Sequence, residues 1–237
     1  MTPRIGTAGW SIPRPLADGF PSDGTGLERY GAVFNAVEIN TSFYRSHRPD
    51  TYARWRDSVP ASFRFAAKTP RTITHYARLK ECGALLAAFV AEATVLGEKL
   101  GPLLVQLPPS LIFDPAVARA FFETFRSLFS GDIVCEPRQA SWFGAEADAL
   151  LVAHRIARVA ADPARHPVAG APGGWLGLAY WRLHGSPKIY YSSYDQEALR
   201  ALAARLGPGR TGEIWCIFDN TALGAAAADA LALRAFL

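Results

Sequence analysis

The chain has 237 residues, half of them hydrophobic and 19% charged, with a formal net charge of +4. That length and balance suit one globular α/β unit and exclude disordered and fibrous chains. No apolar run approaches the ~18 residues that span a bilayer, so no membrane partner is expected. Thr2-Pro3-Arg4 leads straight into a strand-like segment without a secretory pattern, which predicts a cytoplasmic protein. Cys82, Cys135 and Cys216 are odd in number and widely spaced, as expected of reduced core thiols. The charge is uneven: residues 1–80 hold twelve Lys/Arg against six Asp/Glu, and the rest hold thirteen against fifteen.

Strand-like runs recur along the chain, most of them separated by helical patterns. The first covers residues 4–10 and is followed by a Pro/Gly-rich loop at 11–25. The second, 36–44, precedes a helix at 48–59 opened by Pro49-Asp50. The third, 63–70, precedes a helix at 81–100 with a long Ala/Leu/Val/Phe stripe. The fourth, 102–108, leads to Asp114-Pro115, an N-cap followed by proline at the first helical position. Phe121, Phe122, Phe125 and Leu128 then recur at helical spacing. A fifth strand at 132–138, a helix at 145–155 and a sixth strand at 156–162 follow. Residues 163–174 are rich in Pro and Gly without helical period, so the sixth helix is expected to be reduced or replaced by a loop. A seventh strand at 178–185, a helix at 195–206, an eighth strand at 213–220 and a helix at 221–237 complete the order. Eight strands alternating with helices predict right-handed βαβ units in a parallel sheet. At this length they predict a single-domain (β/α)8 TIM barrel rather than an open doubly wound sheet.

Charge enters these strands near their C-terminal ends. In Val37-Glu38-Ile39-Asn40 apolar and polar residues alternate, so Glu38 and Asn40 share a face. The outward face of a barrel strand packs on helices, which assigns Glu38 and Asn40 to the interior. The same phase puts Lys68 inward beside Ala66, Glu136 with Arg138, and Arg182 with His184. In a barrel this end is the ligand face. Ionised groups there must be paired, and Glu38 and Glu136 balance against Lys68, Arg138 and Arg182. A buried ion-pair network that merely fills the interior is the competing explanation. Five charged residues and a histidine exceed what a packing layer needs. The loop 184–194 adds Lys188, hydroxyls and three tyrosines, where phosphate commonly sits in this fold. Asp219-Asn220-Thr221 either caps the last helix or faces a ligand. Tyr44, Trp142, Tyr190 and Tyr191 are expected around the rim, placed to stack on a sugar or base.

Several motifs occur in a fixed order: Ile5-Gly6-Thr7-Ala8-Gly9-Trp10, Val37-Glu38-Ile39-Asn40-Thr41-Ser42-Phe43-Tyr44, Phe65-Ala66-Ala67-Lys68 and Val105-Gln106-Leu107-Pro108-Pro109. They continue with Glu136-Pro137-Arg138 and Ser141-Trp142, Arg182-Leu183-His184-Gly185, and Phe218-Asp219-Asn220. Together the chain resembles the YecE-like domain-of-unknown-function family 72 over essentially its whole length. The resemblance implies a TIM barrel with a pocket built from these motifs, and implies no particular reaction. Two departures stand out: Asp219 occupies a place where the family pattern has a second Asn, and the segment after strand 6 is short.

The residue types disfavour several chemistries. Glycoside hydrolysis needs two carboxylates flanking one bond. Glu38 and Glu136 are the candidates, yet the strand ends where retaining barrel glycosidases carry theirs hold Gln106 and His184. Only His184 among the five histidines sits at a strand end, a poor zinc set, so no metal or other cofactor is expected. Nucleophile motifs, P-loops and dinucleotide fingerprints do not occur. What remains is an enzyme acting without a fixed metal on a small anionic or phosphorylated substrate. Lys68, Arg138 and Arg182 would bind the anion, with Asn40 and Gln106 beside them. Glu136 or Glu38 would act as base and His184 as proton carrier. Two alternatives stay open: a barrel binding single-stranded or damaged nucleic acid through its basic first third, and a non-catalytic ligand-binding protein.

Overall fold

The structure, a computed structural model, describes residues 2–206 and 212–237. In chain order its elements are β1 (Arg4–Thr7), α1 (Gly26–Val33), β2 (Ala36–Ile39), α2 (Pro49–Asp57), β3 (Arg64–Lys68), α3 (Gly83–Ala93), β4 (Leu100–Gln106) and α4 (Pro115–Leu128). There follow β5 (Ile133–Glu136), α5 (Ala145–Ala153), β6 (Ile156–Arg158), β7 (Ala160–Asp162), β8 (Gly173–Gly174), β9 (Leu178–Leu183), α6 (Gln196–Leu206), β10 (Glu213–Phe218) and α7 (Ala225–Arg234). One sheet has the order β1-β10-β9-β7, the other β2-β3-β4-β5-β6-β8. The pairings are parallel throughout, apart from the short β8 running antiparallel to β6. This is the parallel α/β class that alternating strands and helices dictate.

The two sheets meet at two seams. At the first, Ala8 bridges Glu38 in the parallel sense, and the Gly9 amide donates to the Glu38 carbonyl at 2.9 Å. At the second the chain itself crosses over. The run expected as one strand at 156–162 is interrupted at Val159: β6 pairs with β5, whereas β7 pairs with β9.

Elsewhere the elements are shorter than the sequence patterns suggest. Asn40, Arg138, His184 and Asp219 lie just past their strands, in the loops. Residues 94–99 form a separate tight turn after α3, because Gly97 at φ 56° cannot continue the helix. The segment after β7 holds a turn at Pro167–Gly170 and β8, with no α-helix, as its proline content requires. The helix α1 was not among the expected elements. Its start carries a capping box in which Thr25 and Glu28 satisfy each other's backbone amides.

Alternation along the strands produces two apolar clusters. The larger joins Val37, Ile39, Phe65, Val105, Cys135 and Phe218 to helix residues such as Tyr30, Leu86, Phe122 and Leu151. The smaller takes Ala36, Ala66, Leu104, Val134, Ala157, Tyr180, Trp215 and Ile217 from both sheets. Small residues there leave room for Tyr180 and Trp215, stacked with ring centroids 5.8 Å apart. Moving two residues on from Ala36, Ala66, Leu104, Val134 and Tyr180 reaches Glu38, Lys68, Gln106, Glu136 and Arg182. A charged layer therefore lies directly above an apolar one. The three cysteines are buried and free. Among the described residues no helix is long and apolar enough to cross a membrane.

The first seam is close-packed. A Cβ on Gly6 would lie 2.0 Å from the Ala36 carbonyl oxygen, the same oxygen that accepts from the Tyr30 hydroxyl. Gly6→Ala is expected to destabilise the fold by roughly 3 kcal/mol, since backbone on both sides must move. Urea unfolding measures this, and an unchanged midpoint would mean that β1 and β2 are not held at that distance.

Candidate functional site

Arg182 is the centre of the charged layer and has 0% exposure. Its Nε and Nη2 donate to Glu38 Oε2 and Oε1 at 3.0 and 2.7 Å, a two-pronged pair. Nη1 donates to Glu136 Oε2 at 2.7 Å and Nη2 also to Asp219 Oδ2 at 3.0 Å. The Tyr180 hydroxyl, two residues earlier on the same face, donates to Glu38 Oε2 at 2.9 Å. One guanidinium thus engages carboxylates from β2, β5 and the end of β10.

His184 bridges two of the same carboxylates. Nδ1 lies 2.9 Å from Asp219 Oδ2 and Nε2 lies 2.9 Å from Glu136 Oε1. Ionised carboxylates only accept, so both ring nitrogens must carry hydrogen and His184 is an imidazolium. Burial works against that charge, but the Glu136 carboxylate and the hydrogen bonds to Asp219 and Glu136 outweigh it and raise the His184 pKa. Burial likewise works against ionising Glu136, yet Arg182, Arg138 and His184 hold its carboxyl well below the usual range. Asp219 is lowered for the same reason, with Arg182 and then His184 overcoming burial. Arg138 completes the set, its Nε and Nη2 donating to Glu136 Oε1 at 3.3 and 3.2 Å. Three carboxylates, Glu38, Glu136 and Asp219, therefore meet three cations, Arg182, His184 and Arg138.

Lys68 is left over. It is 5% exposed, and among the described residues its ammonium meets no carboxylate within 4.0 Å. Its Nζ sits 4.2 Å from the centre of the Phe43 ring. Burial, then the charge of Arg182, pushes its pKa down to about 8 against the pull of Glu38, Asp219 and Glu136. His75 packs edge-on against the same Phe43 ring, at 5.0 Å between centroids. Burial, and then the cations Lys68, Arg138 and Arg71, keep that imidazole below its ordinary pKa. Arg71 lies 5.5 Å from the ring of Tyr44 and 5.5 Å from that of Tyr76. Sequence reasoning missed Phe43, Arg71, His75 and Tyr76. The signal available was the density of cations and aromatics immediately after β3.

The remaining candidates divide. Asn40 follows β2 and keeps a buried Oδ1 without a hydrogen-bond partner among the described residues. Gln106 donates to Glu136 Oε2 at 3.4 Å. Tyr190 meets His184 edge-on at 5.8 Å, and its hydroxyl accepts from Arg138 Nη1 at 3.4 Å. Beside them Glu136, Arg138, Arg165, His184, Ile189 and Tyr190 line a cavity of about 180 Å³. Tyr44 is 60% exposed, and Tyr191 is exposed under the Lys188 ammonium. Trp142 does not reach the rim. It is 1% exposed, its Nε1 donates to the Leu111 carbonyl at 2.9 Å, and it packs on Phe113 in the outer core. Asn220 also turns away, donating to Asp229 at 2.7 Å and to the Ser192 carbonyl at 2.9 Å, which ties the 184–194 loop to α7. It caps no helix, because α7 starts only at Ala225.

Comparison with known sequences is decisive for the family. The family described as "Protein of unknown function DUF72" matches residues 4–237. The chain belongs to it. The UPF0759 protein YecE of Escherichia coli K12 is 36% identical over 124 residues, covering 52% of this chain and 43% of that protein. The match thus spans less than half the length of that relative. A crystal structure of a DUF72 family protein from Enterococcus faecalis V583 superposes with a TM-score of 0.81 at 21% identity, covering 100% of this chain and 95% of that one. Another, from Thermotoga maritima MSB8, gives 0.79 at 25% identity over 98% and 97%.

In this DUF72 chain, Glu38→Gln leaves Arg182 buried with one carboxylate fewer. Unfolding in denaturant should show a loss of about 3–5 kcal/mol. Glu136 and Asp219, being lowered, contribute stability above their unfolded pKa near 4 that is lost as pH falls through their folded values. His184, being raised, contributes stability below about 6.5 that is lost as pH rises through its folded value. Asp219→Asn should lower the His184 titration midpoint, read from its imidazole NMR signals; an unmoved midpoint would contradict the bridge.

Proposed function

We propose that this chain is an enzyme that acts, without a fixed metal, on a small anionic or phosphorylated substrate. The substrate sits at the C-terminal ends of the strands of one closed eight-stranded barrel. Closure is supported by the two seams and by an apolar cluster drawn from both sheets. The observation that carries the functional reading is Lys68: a buried lysine with no counter-ion within 4.0 Å among the described residues, beside a cluster already neutral without it. A ligand bringing one negative charge supplies what the site lacks. The carboxylates are engaged by Arg182, His184 and Arg138, a surrounding that repels a metal cation.

This reading redistributes the roles. Arg182 has four donor contacts within the protein, so it positions carboxylates and leaves the anion to Lys68 and Arg138. Glu136 is ionised and accepts from four side chains, a poor setting for a base. The groups poised to exchange protons are Lys68 and the neutral His75. Binding of nucleic acid has less support, because the basic residues of the first third are dispersed. Arg4 pairs with Glu213, Arg56 with Asp57, and Arg64 donates to the Ala61 and Phe63 carbonyls at the start of β3.

Lys68→Met separates a ligand-holding lysine from a structural one. A pKa near 8 in the fold against 10.5 means that folding is penalised wherever the lysine is protonated. The penalty is complete below pH 8 and fades as pH rises toward 10.5. The variant should therefore gain roughly 2–4 kcal/mol at neutral pH, a gain that disappears above about pH 10.5. Inorganic phosphate should raise the melting temperature of the wild type and leave that of Lys68→Met unmoved. A destabilised variant, or equal phosphate effects on both proteins, would overturn the reading.

A further inference from the structure

Resting on that reading, we propose that Lys68 is a covalent catalytic residue whose ε-amine condenses with the carbonyl carbon of a small aldehyde or ketone bearing an anionic group. The chain contains its own control for what a structural lysine looks like. Lys99 is half-buried, and its Nζ donates to the carbonyls of Arg56 and Val59, both at 2.6 Å. Lys68 is more deeply buried and has no such partner among the described residues; its Nζ lies against the face of Phe43. A lysine whose Nζ lies against an aromatic ring, with no hydrogen-bond or carboxylate partner among the described residues and with the charge of Arg182 acting on it, has the setting that turns an amine into a nucleophile at neutral pH. The groups that act on its charge are Arg182, Glu38, Asp219 and Glu136, with His75 across the Phe43 ring. Their sum keeps the amine partly unprotonated near pH 8.

The step balances within the site. The amine lone pair bonds to the carbonyl carbon while the carbonyl oxygen takes up a proton, giving a carbinolamine. Loss of that oxygen as water forms the C=N bond. Ammonium plus carbonyl gives iminium plus water, with one positive charge on each side and no oxidant or reductant. The iminium thus keeps the charge that the anionic ligand balances. His75, packed on the same Phe43 ring as Lys68, is the imidazole that moves the proton between nitrogen and oxygen. Its Nδ1 is engaged by the Thr74 hydroxyl at 2.8 Å, and Nε2 has no partner among the described residues. Arg138 serves the anionic group, since beyond Glu136 its one hydrogen bond among the described residues is the long one to Tyr190.

The sequence makes the test clean, because its four lysines are Lys68, Lys80, Lys99 and Lys188. The full chain is incubated near pH 8 with glyceraldehyde 3-phosphate and cyanoborohydride, and modified peptides are located by mass spectrometry. Lys68 should be alkylated at least about tenfold faster than Lys80 and Lys188, which are exposed. Inorganic phosphate should suppress the reaction. Lys68→Arg keeps the charge, so it should retain stabilisation by phosphate while losing the adduct. Arg138→Gln should abolish the preference for glyceraldehyde 3-phosphate over glyceraldehyde. Labelling confined to the surface lysines, with phosphate stabilisation intact, would overturn the imine and leave the anion site standing. Loss of both signals would overturn both readings. Selective labelling of Lys68 that phosphate does not suppress would overturn the anionic group as part of the substrate.

Discussion

A guanidinium with no access to water must find its counter-charges inside the protein, and Arg182 finds them on three separate stretches of chain. Glu38 lies within β2, Glu136 ends β5 and Asp219 follows β10, so satisfying one side chain on β9 requires strands from both sheets to converge. An apolar layer alone would tolerate slippage between sheets, because methyl groups are indifferent to their partners. A fork of N–H donors is not. Moving β2 by one residue would exchange Glu38 for Val37 or Ile39 and strand the guanidinium at a cost of several kcal/mol. The ion network thus sets the register that the apolar layer beneath it only permits.

That lower layer explains why such a network is tolerable. Ala36, Ala66 and Ala157 are small enough for Tyr180 and Trp215 to fill the space between the sheets. Tyr180 belongs to both layers: its ring packs on Trp215 while its hydroxyl donates to Glu38. The charges are consequently dry from below, and a cavity opens beside Glu136, Arg138 and Tyr190. Low polarisability beneath strengthens every contact above it.

Much of this was legible because alternation leaves a phase. Val37-Glu38-Ile39 allows only one choice of inward residue, and the same logic reached Lys68, Glu136 and Arg182. Where phase is missing, the sequence is silent. The run Val159-Ala160-Ala161 shows no alternation, so nothing marks the point at which the chain changes neighbours. Helix α1 buries little beyond Leu27 and Tyr30, too few positions to show a helical period. Trp142 follows a polar turn and looks exposed, yet its indole is drawn under Leu111 by a carbonyl acceptor that sequence does not display. His75 lies on a single irregular turn, where no periodicity says which way a side chain faces. The family pattern has Asn at position 219, whereas the charge balance around Arg182 and His184 in this chain is met by a carboxylate there.

The choice of cation at each position follows from geometry rather than from charge alone. Arginine stands wherever one side chain must serve several acceptors, as Arg182 does for three carboxylates and Arg126 does for the carbonyls of Gly131, His154 and Arg155. An ammonium cannot span such sets, and in Lys99 it satisfies only two adjacent carbonyls. In a chain with twenty-one arginines and four lysines, a buried lysine at the end of β3 therefore needs a reason that charge does not provide. What lysine has and arginine lacks is a proton that can leave near neutral pH and a nitrogen lone pair beneath it. Position 68 is also where burial and the Arg182 charge most favour losing that proton. The surrounding network, saturated by its own partners, leaves that one nitrogen uncommitted.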